Sequence, residues 1–145
     1  MSKNVVLIPT YNESESILTL IESLERLEVD IIVIDDDSPD GTANLVKNIR
    51  SNRLRVIEHG PKNGLGPAYL TGMNQAISEG YEKIITMDAD GQHRVEDVQS
   101  LIFASLNFDV VMGTRWMPGG EISNWSVNRK LLSKFGTWYA RRCLN

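Results

Sequence analysis

Short, mainly apolar blocks alternate along this chain with longer stretches in which apolar residues recur every three or four positions. The blocks are Val5-Val6-Leu7-Ile8, Ile31-Ile32-Val33-Ile34, Leu54-Arg55-Val56-Ile57, Ile84-Ile85-Thr86-Met87 and Asp109-Val110-Val111-Met112-Gly113. Near-continuous apolar runs of this length suit strands of a parallel sheet covered on both faces, so five strands are predicted. Between them, Ile17, Leu20, Ile21, Leu24 and Leu27 carry helical spacing, with Asn12 and Glu15 as a capping-box pair at the entrance. A second helix starts near Thr42 and presents Ala43, Leu45, Val46 and Ile49. A third opens out of the Gly/Pro-rich loop Gly60 to Pro67 and presents Ala68, Leu70, Met73 and Ile77. A fourth covers Val95 to Leu106, and a fifth carries Leu131, Leu132, Phe135, Trp138 and Tyr139 on its apolar side. Strands alternating with helices imply right-handed βαβ units: a mostly parallel sheet with helices on both faces, a three-layer α/β/α architecture.

In such sheets ligands bind beyond the carboxyl ends of the strands. Four polar clusters fall there: Thr10 to Glu13, Asp35 to Asp37, Asp88 to Gln92, and Thr114-Arg115. Of these, Asp88-Ala89-Asp90 has the sharpest chemistry. Side chains two apart on an extended backbone point the same way, so both carboxylates can face one hard cation while Ala89 leaves room beside them. Gln92 could add a neutral oxygen. Two carboxylates leave most of a Mg²⁺ or Mn²⁺ shell unfilled, which suits a metal that also holds a nucleotide diphosphate. An isolated D-x-D followed by Gly91 is more often a turn, and the strand-end position is what favours a ligand site. The Gly64-Leu65-Gly66 loop is neither a P-loop nor a G-x-G-x-x-G; a structural role and a close approach to phosphate both stay open.

With 145 residues, 41% hydrophobic and 23% charged, the chain reads as one globular domain, 1–145, large enough for a real core. No apolar run reaches the length of a membrane span and the N-terminus lacks a signal-peptide pattern, so a cytoplasmic location is expected. The lone Cys143 excludes a cysteine-built zinc site, and His59 and His93 do not form a histidine one. The net charge of -4 divides unevenly: from Gly113 onward six basic residues face one acidic residue, a balance of +5, so the remainder sums to -9. The basic end suggests phosphate groups or an anionic membrane surface. Nucleic acid is disfavoured, because no basic face interleaved with aromatics is present.

Ile8-Pro9-Thr10-Tyr11-Asn12-Glu13, Asp35-Asp36-Asp37-Ser38-Pro39-Asp40-Gly41-Thr42, Gly64-Leu65-Gly66 and Met87-Asp88-Ala89-Asp90-Gly91-Gln92-His93 together resemble family 2 glycosyltransferases of the GT-A fold. The likeness reaches across nearly the whole chain. Within the family it is greatest to the dolichol-phosphate (polyprenyl-phosphate) mannosyltransferases, with support from Gly113-Thr114-Arg115 and Asn128 to Lys134.

That resemblance implies that Pro9, Tyr11, Glu13, Ile34 and Asp36 line a nucleotide pocket, Tyr11 as an aromatic or sugar contact and Asp36 as an acceptor for the base. Asp88, Ala89, Asp90 and Gln92 are implied to hold Mg²⁺ or Mn²⁺ and the diphosphate, with Asp90 and Arg115 at the reacting end. Arg115, Arg129 and Ser133 are implied to bind phosphate oxygens, and Arg129 with Lys130 to steer a lipid phosphate. The plain alternative for Arg129, Lys130 and Lys134, a solvated helix face, stays open. Trp116, Met117 and Trp125 around Gly119-Gly120 are expected to form a mobile loop over the donor or along the lipid.

The implied reaction moves a hexose, mannose first, from GDP-mannose to a polyprenyl or dolichyl phosphate with inversion, at the cytoplasmic face of a membrane that the protein contacts peripherally. The alternatives are a UDP-dependent glucosyl or aminosugar transferase to the same lipid, and a nucleotide-sugar-binding fragment without turnover. The branch continues with a further strand and a helical end, so the chain reads as a truncated catalytic domain. An exposed sheet edge could pair it into a homodimer.

Overall fold

The computed structural model describes residues 4–62, 64–91, 93–113 and 126–143, with nothing said of the side chains at 127–130, 140 and 141. Four strands, β1 Asn4–Thr10, β2 Asp30–Asp35, β3 Leu54–Glu58 and β4 Lys83–Thr86, form a parallel sheet in the order β3-β2-β1-β4. The helices are α1 Ile17–Glu25, α2 Thr42–Lys47, α3 Leu65–Ser78, α4 Val95–Ala104 and α5 Val127–Cys143. Residues 1–112 and 113–145 form two compact units and are described separately.

Because neighbouring side chains on a strand point to opposite faces, the apolar blocks supply two cores at once. Val6, Ile8, Ile31 and Val33 pack with Ile17, Ile21 and Leu24 of α1, Val46 of α2 and Val98 of α4. Val5, Leu7, Ile32 and Ile34 pack on the other face with Ala68 and Ala76 of α3. Helices thus cover both faces. From β1 the chain winds outward through β2 to β3, then α3 returns across the opposite face to place β4 on the other side of β1. The direction therefore reverses between β1 and β4, where an open parallel sheet leaves a crevice at its carboxyl ends.

Three expectations are corrected. Asp109 to Gly113 is not a strand: Val110 and Met112 are 80% and 85% exposed, and among the described residues the segment joins no ladder. Apolar β-formers make a strand only where a neighbouring backbone accepts them.

The buried stripe of α3 is Ala68, Gly72 and Ala76, whereas Leu70 and Ile77 are exposed. These small residues let the helix lie close on the sheet; a Cβ at Gly72 would fall 2.8 Å from Ile34 Cδ1 and 3.2 Å from Leu7 Cδ1.

The third correction concerns the start of α1, which has no Asn12/Glu15 box. Asn12 is left-handed, with φ 61°. The helix opens at Ser16, whose Oγ donates to Glu13 Oε2 at 2.8 Å, while the Ile17 N–H donates to the Glu13 carbonyl at 2.9 Å.

At the amino ends of the strands the polar groups are knitted together. Tyr81 donates to Oδ2 of buried Asp30 at 2.7 Å, and Arg55 donates to the Tyr81 hydroxyl at 2.8 Å while pairing with Glu79. Burial, and then the bond to Asp30, push the Tyr81 phenol up to about 12.

In the second unit, α5 exposes Leu131, Leu132, Phe135, Trp138 and Tyr139, and the Phe135 ring lies 5.8 Å from Trp138 and 6.3 Å from Tyr139. No helix among the described residues is long and apolar enough to cross a membrane.

Candidate functional site

Three carboxyl-terminal strand ends lie side by side because β1 sits between β2 and β4. The first two are laced by side chains that accept backbone N–H groups. Asn12 N–H donates to Ser38 Oγ at 3.1 Å, Glu13 N–H to Thr42 Oγ1 at 3.0 Å, and Ser14 N–H to Asp40 Oδ2 at 3.0 Å. Asp35, only 1% exposed, is consumed by this framework: it accepts from Ser38 N–H at 2.8 Å, Ser38 Oγ at 2.7 Å and Thr10 Oγ1 at 2.9 Å. Asp40 caps the start of α2, accepting from the Thr42 hydroxyl at 2.6 Å and the Thr42 N–H at 3.0 Å. The Thr42 hydroxyl, together with backbone donors, holds the Asp40 carboxyl down at about 2.

Asp36, 5% exposed, meets His59, with Nδ1 2.8 Å from Oδ1. The N–H of His59 also donates to the Asp35 carbonyl at 2.9 Å, carrying the β2–β3 alignment one residue further. Three residues on, the Lys62 ammonium stands 3.8 Å over the Tyr11 ring, within cation–π range.

At the third strand end, burial alternates: Met87 and Ala89 are 3% exposed, Asp88 is half-buried and Asp90 is exposed. The two carboxylates therefore share the open side while the residues between and before them root the loop in the core. Tyr69 of α3 donates to Asp88 Oδ1 at 2.9 Å, and His93 Nε2 lies 3.5 Å from Asp88 Oδ2. Burial, then the bond to Asp88, raise the Tyr69 phenol far above its ordinary value.

The sequence model of glycosyl transferase family 2 matches residues 5–143. This chain belongs to that family. Among curated family relatives, the chain is 39% identical over 141 residues to the undecaprenyl-phosphate mannosyltransferase of Micrococcus luteus, covering 94% of this chain and 58% of that one. It is 37% identical over 145 residues to the polyprenol monophosphomannose synthase of Mycolicibacterium smegmatis, covering 96% and 55%. Against the dolichol-phosphate mannosyltransferase of Pyrococcus furiosus it is 38% identical over 135 residues, covering 89% and 38%. The chain spans between 38% and 58% of the length of these relatives. A solved structure from Desulfovibrio desulfuricans, provisionally assigned as a nucleotide-diphospho-sugar transferase, aligns with TM-score 0.57 at 15% identity, covering 74% of this chain and 56% of that one. The fold is that of a GT-A glycosyltransferase.

For a family 2 glycosyltransferase, the sequence-predicted residues divide as follows. Tyr11, Glu13, Asp36, Asp88 and Asp90 stand at the adjacent strand ends. Pro9 and Ala89 are buried, and the Ile34 side chain is fully interior beneath α3, so it supports the site from below. Ser133 lies on α5 in the second unit, where the Thr137 hydroxyl donates to its carbonyl at 2.9 Å. Gln92, Arg115, the loop with Trp116, Met117, Gly119, Gly120 and Trp125, and the side chains of Arg129 and Lys130 lie outside the described residues.

Asp88 and Asp90 offer hard oxygen donors, the chemistry Mg²⁺ and Mn²⁺ prefer. Among the described residues no group of three or more His, Cys, Asp or Glu side chains is placed to hold a metal. A pair of carboxylates suits a cation that a ligand's own oxygens share, so the residues present fit such an ion.

Sequence reasoning missed Asp35, Ser38, Asp40 and Thr42 as the lacing of the site, and His59, Lys62 and Tyr69 as the partners of its polar groups. The first four had a signal, because a D-x-x-S-P-D-G-T run is dense in side chains that accept backbone N–H groups.

Proposed function

We propose that this chain transfers mannose from GDP-mannose to a polyprenyl or dolichyl phosphate, with inversion and dependence on Mg²⁺ or Mn²⁺. The observation that carries the reading is the gathering of Tyr11, Asp36, Asp88 and Asp90 at three adjacent strand ends, in a chain 37–39% identical to relatives named for mannosyl transfer to such lipids.

In this reading Asp36 accepts a hydrogen bond from the base, and Tyr11 and Glu13 close the pocket on the nucleoside and sugar side, with Pro9 and Ile34 beneath. A divalent cation held by Asp88, Asp90 and Gln92 would neutralise charge building on the departing diphosphate. Arg115 adds a fixed positive charge to the same oxygens. An acceptor phosphate oxygen attacks the anomeric carbon as the bond from that carbon to the GDP oxygen breaks, and the electron pair leaves with GDP. A phosphate monoester has a second pKa of about 6, so the acceptor is mostly dianionic at neutral pH and no proton has to be removed. Arg129, Lys130 and Ser133 receive the lipid phosphate. A lipid acceptor places the work at a membrane surface, taken here as the cytoplasmic face, and the exposed Phe135, Trp138 and Tyr139 of α5 suit peripheral contact with it.

The test is transfer of labelled mannose from GDP-mannose, with Mn²⁺, to polyprenyl phosphate in detergent micelles. Label in the organic phase is expected. Transfer from UDP-glucose alone would move the assignment to a glucosyl donor, and donor binding without transfer would leave a binding fragment.

A further inference from the structure

Side chains from one short segment, His59 to Tyr69, reach all three strand ends of the site. His59 meets Asp36 after β2, Lys62 covers Tyr11 after β1, and Tyr69 meets Asp88 after β4. The order along the segment is the order of the strands across the sheet.

We infer that this segment is a two-ended organiser of the donor site, in which His59 sets the carboxylate that reads the base and Tyr69 sets the carboxylate that faces the cation. The inference rests on the donor-site reading above and adds two positioning residues to it.

An aspartate side chain has two equivalent oxygens and rotates readily. A donor fixed to one oxygen removes that freedom and leaves the other turned to a ligand. His59 does this from a backbone already bonded to β2, since its N–H donates to the Asp35 carbonyl at 2.9 Å. A ring nitrogen 2.8 Å from a carboxylate oxygen carries the proton, so Nδ1–H donates to Asp36 Oδ1. Tyr69 does it from α3, which the small stripe of Ala68, Gly72 and Ala76 holds close against Leu7 and Ile34. Its hydroxyl takes Asp88 Oδ1 at 2.9 Å, leaving Oδ2 on the side of His93. Between the two anchors, Lys62 on the Tyr11 ring tacks the segment to the central strand end.

The two positions act on different halves of one ligand, so their substitutions separate. The experiment is calorimetric titration of the full chain and its variants with GDP and UDP, each with and without Mn²⁺, alongside Mn²⁺ binding followed by electron paramagnetic resonance.

His59→Ala is expected to weaken GDP roughly tenfold, the scale of one hydrogen bond to a charged group, equally with and without Mn²⁺, and to narrow the difference between GDP and UDP. His59→Asn, whose amide replaces Nδ1, should recover most of the loss, and His59→Gln should not. Tyr69→Phe is expected to leave metal-free GDP affinity in place and to cut the gain from Mn²⁺ by roughly tenfold.

Variants that weaken nucleotide and metal together, or leave both unchanged while the parent chain binds normally, overturn the inference alone. A parent chain that binds neither nucleotide overturns the donor-site reading and this inference with it. If His59→Ala fails to fold, the contrast between His59→Asn and His59→Gln decides the base end.

Discussion

Asp35 and Asp36 are adjacent acids with different surroundings. Asp35 accepts hydrogen bonds from Thr10 and Ser38 and is locked into the framework; Asp36 meets one histidine, His59, on the side of β3. Asp40 belongs to the framework and gives it an acid limit. Its carboxyl titrates near 2 in the folded chain against an ordinary 3.8, so the stability it contributes is present above 3.8 and lost as pH falls toward 2. Asp40→Asn should therefore flatten the acid loss of stability in that window, measured by urea unfolding at a series of pH values.

Tyr81 offers a second prediction at this scale. Tyr81→Phe removes the donor to buried Asp30 and the acceptor for Arg55, and should lower stability by about 1–3 kcal/mol, the cost of leaving a buried acceptor unmatched. Because the network lies at the amino ends of the strands, donor binding should be unchanged in the same variant.

At the scale of elements, contact between α3 and the sheet depends on Gly72. Gly72→Ala brings a methyl within 2.8 Å of Ile34 Cδ1 and should cost about 1–3 kcal/mol by overpacking. Ile34→Val removes that Cδ1, so the double variant should recover part of the loss and appear as a non-additive thermodynamic cycle in thermal unfolding.

The same contact shows where a sequence can be read and where it cannot. Val5 to Ile8 and Ile31 to Ile34 are short runs apolar throughout, the form a strand buried on both faces takes, so the sheet was legible. The stripe Ala68, Gly72 and Ala76 was not, because hydrophobicity favours Leu70 and Ile77 while close approach favours the smallest residues. Asp109 to Gly113 had strand-forming residues without a partner ladder among the described residues, which composition cannot reveal. In the site, Asp36, Asp88 and Asp90 were legible because they directly follow apolar strands. Their partners His59 and Tyr69 lie 23 and 19 residues away and are joined to them only by the folded topology.

For the molecule as a whole, the return of α3 across the sheet reverses the strand order between β1 and β4, the place where open parallel sheets bind ligands, and Asp88 and Asp90 follow β4 there. Carboxylates at the strand ends and an anionic donor repel each other unless a cation intervenes, which is the physical reason for expecting a divalent ion to strengthen donor binding. The positive balance after Gly113 is a separate feature of the sequence, of the sign that phosphate groups favour. The measurement that bears most directly on this account is calorimetric titration of the chain and its Asp90→Ala variant with GDP, with and without Mn²⁺. GDP binding strengthened by Mn²⁺ in the parent chain, with that gain lost in Asp90→Ala, is the predicted result; GDP binding indifferent to Mn²⁺, or a gain that survives the substitution, would contradict it.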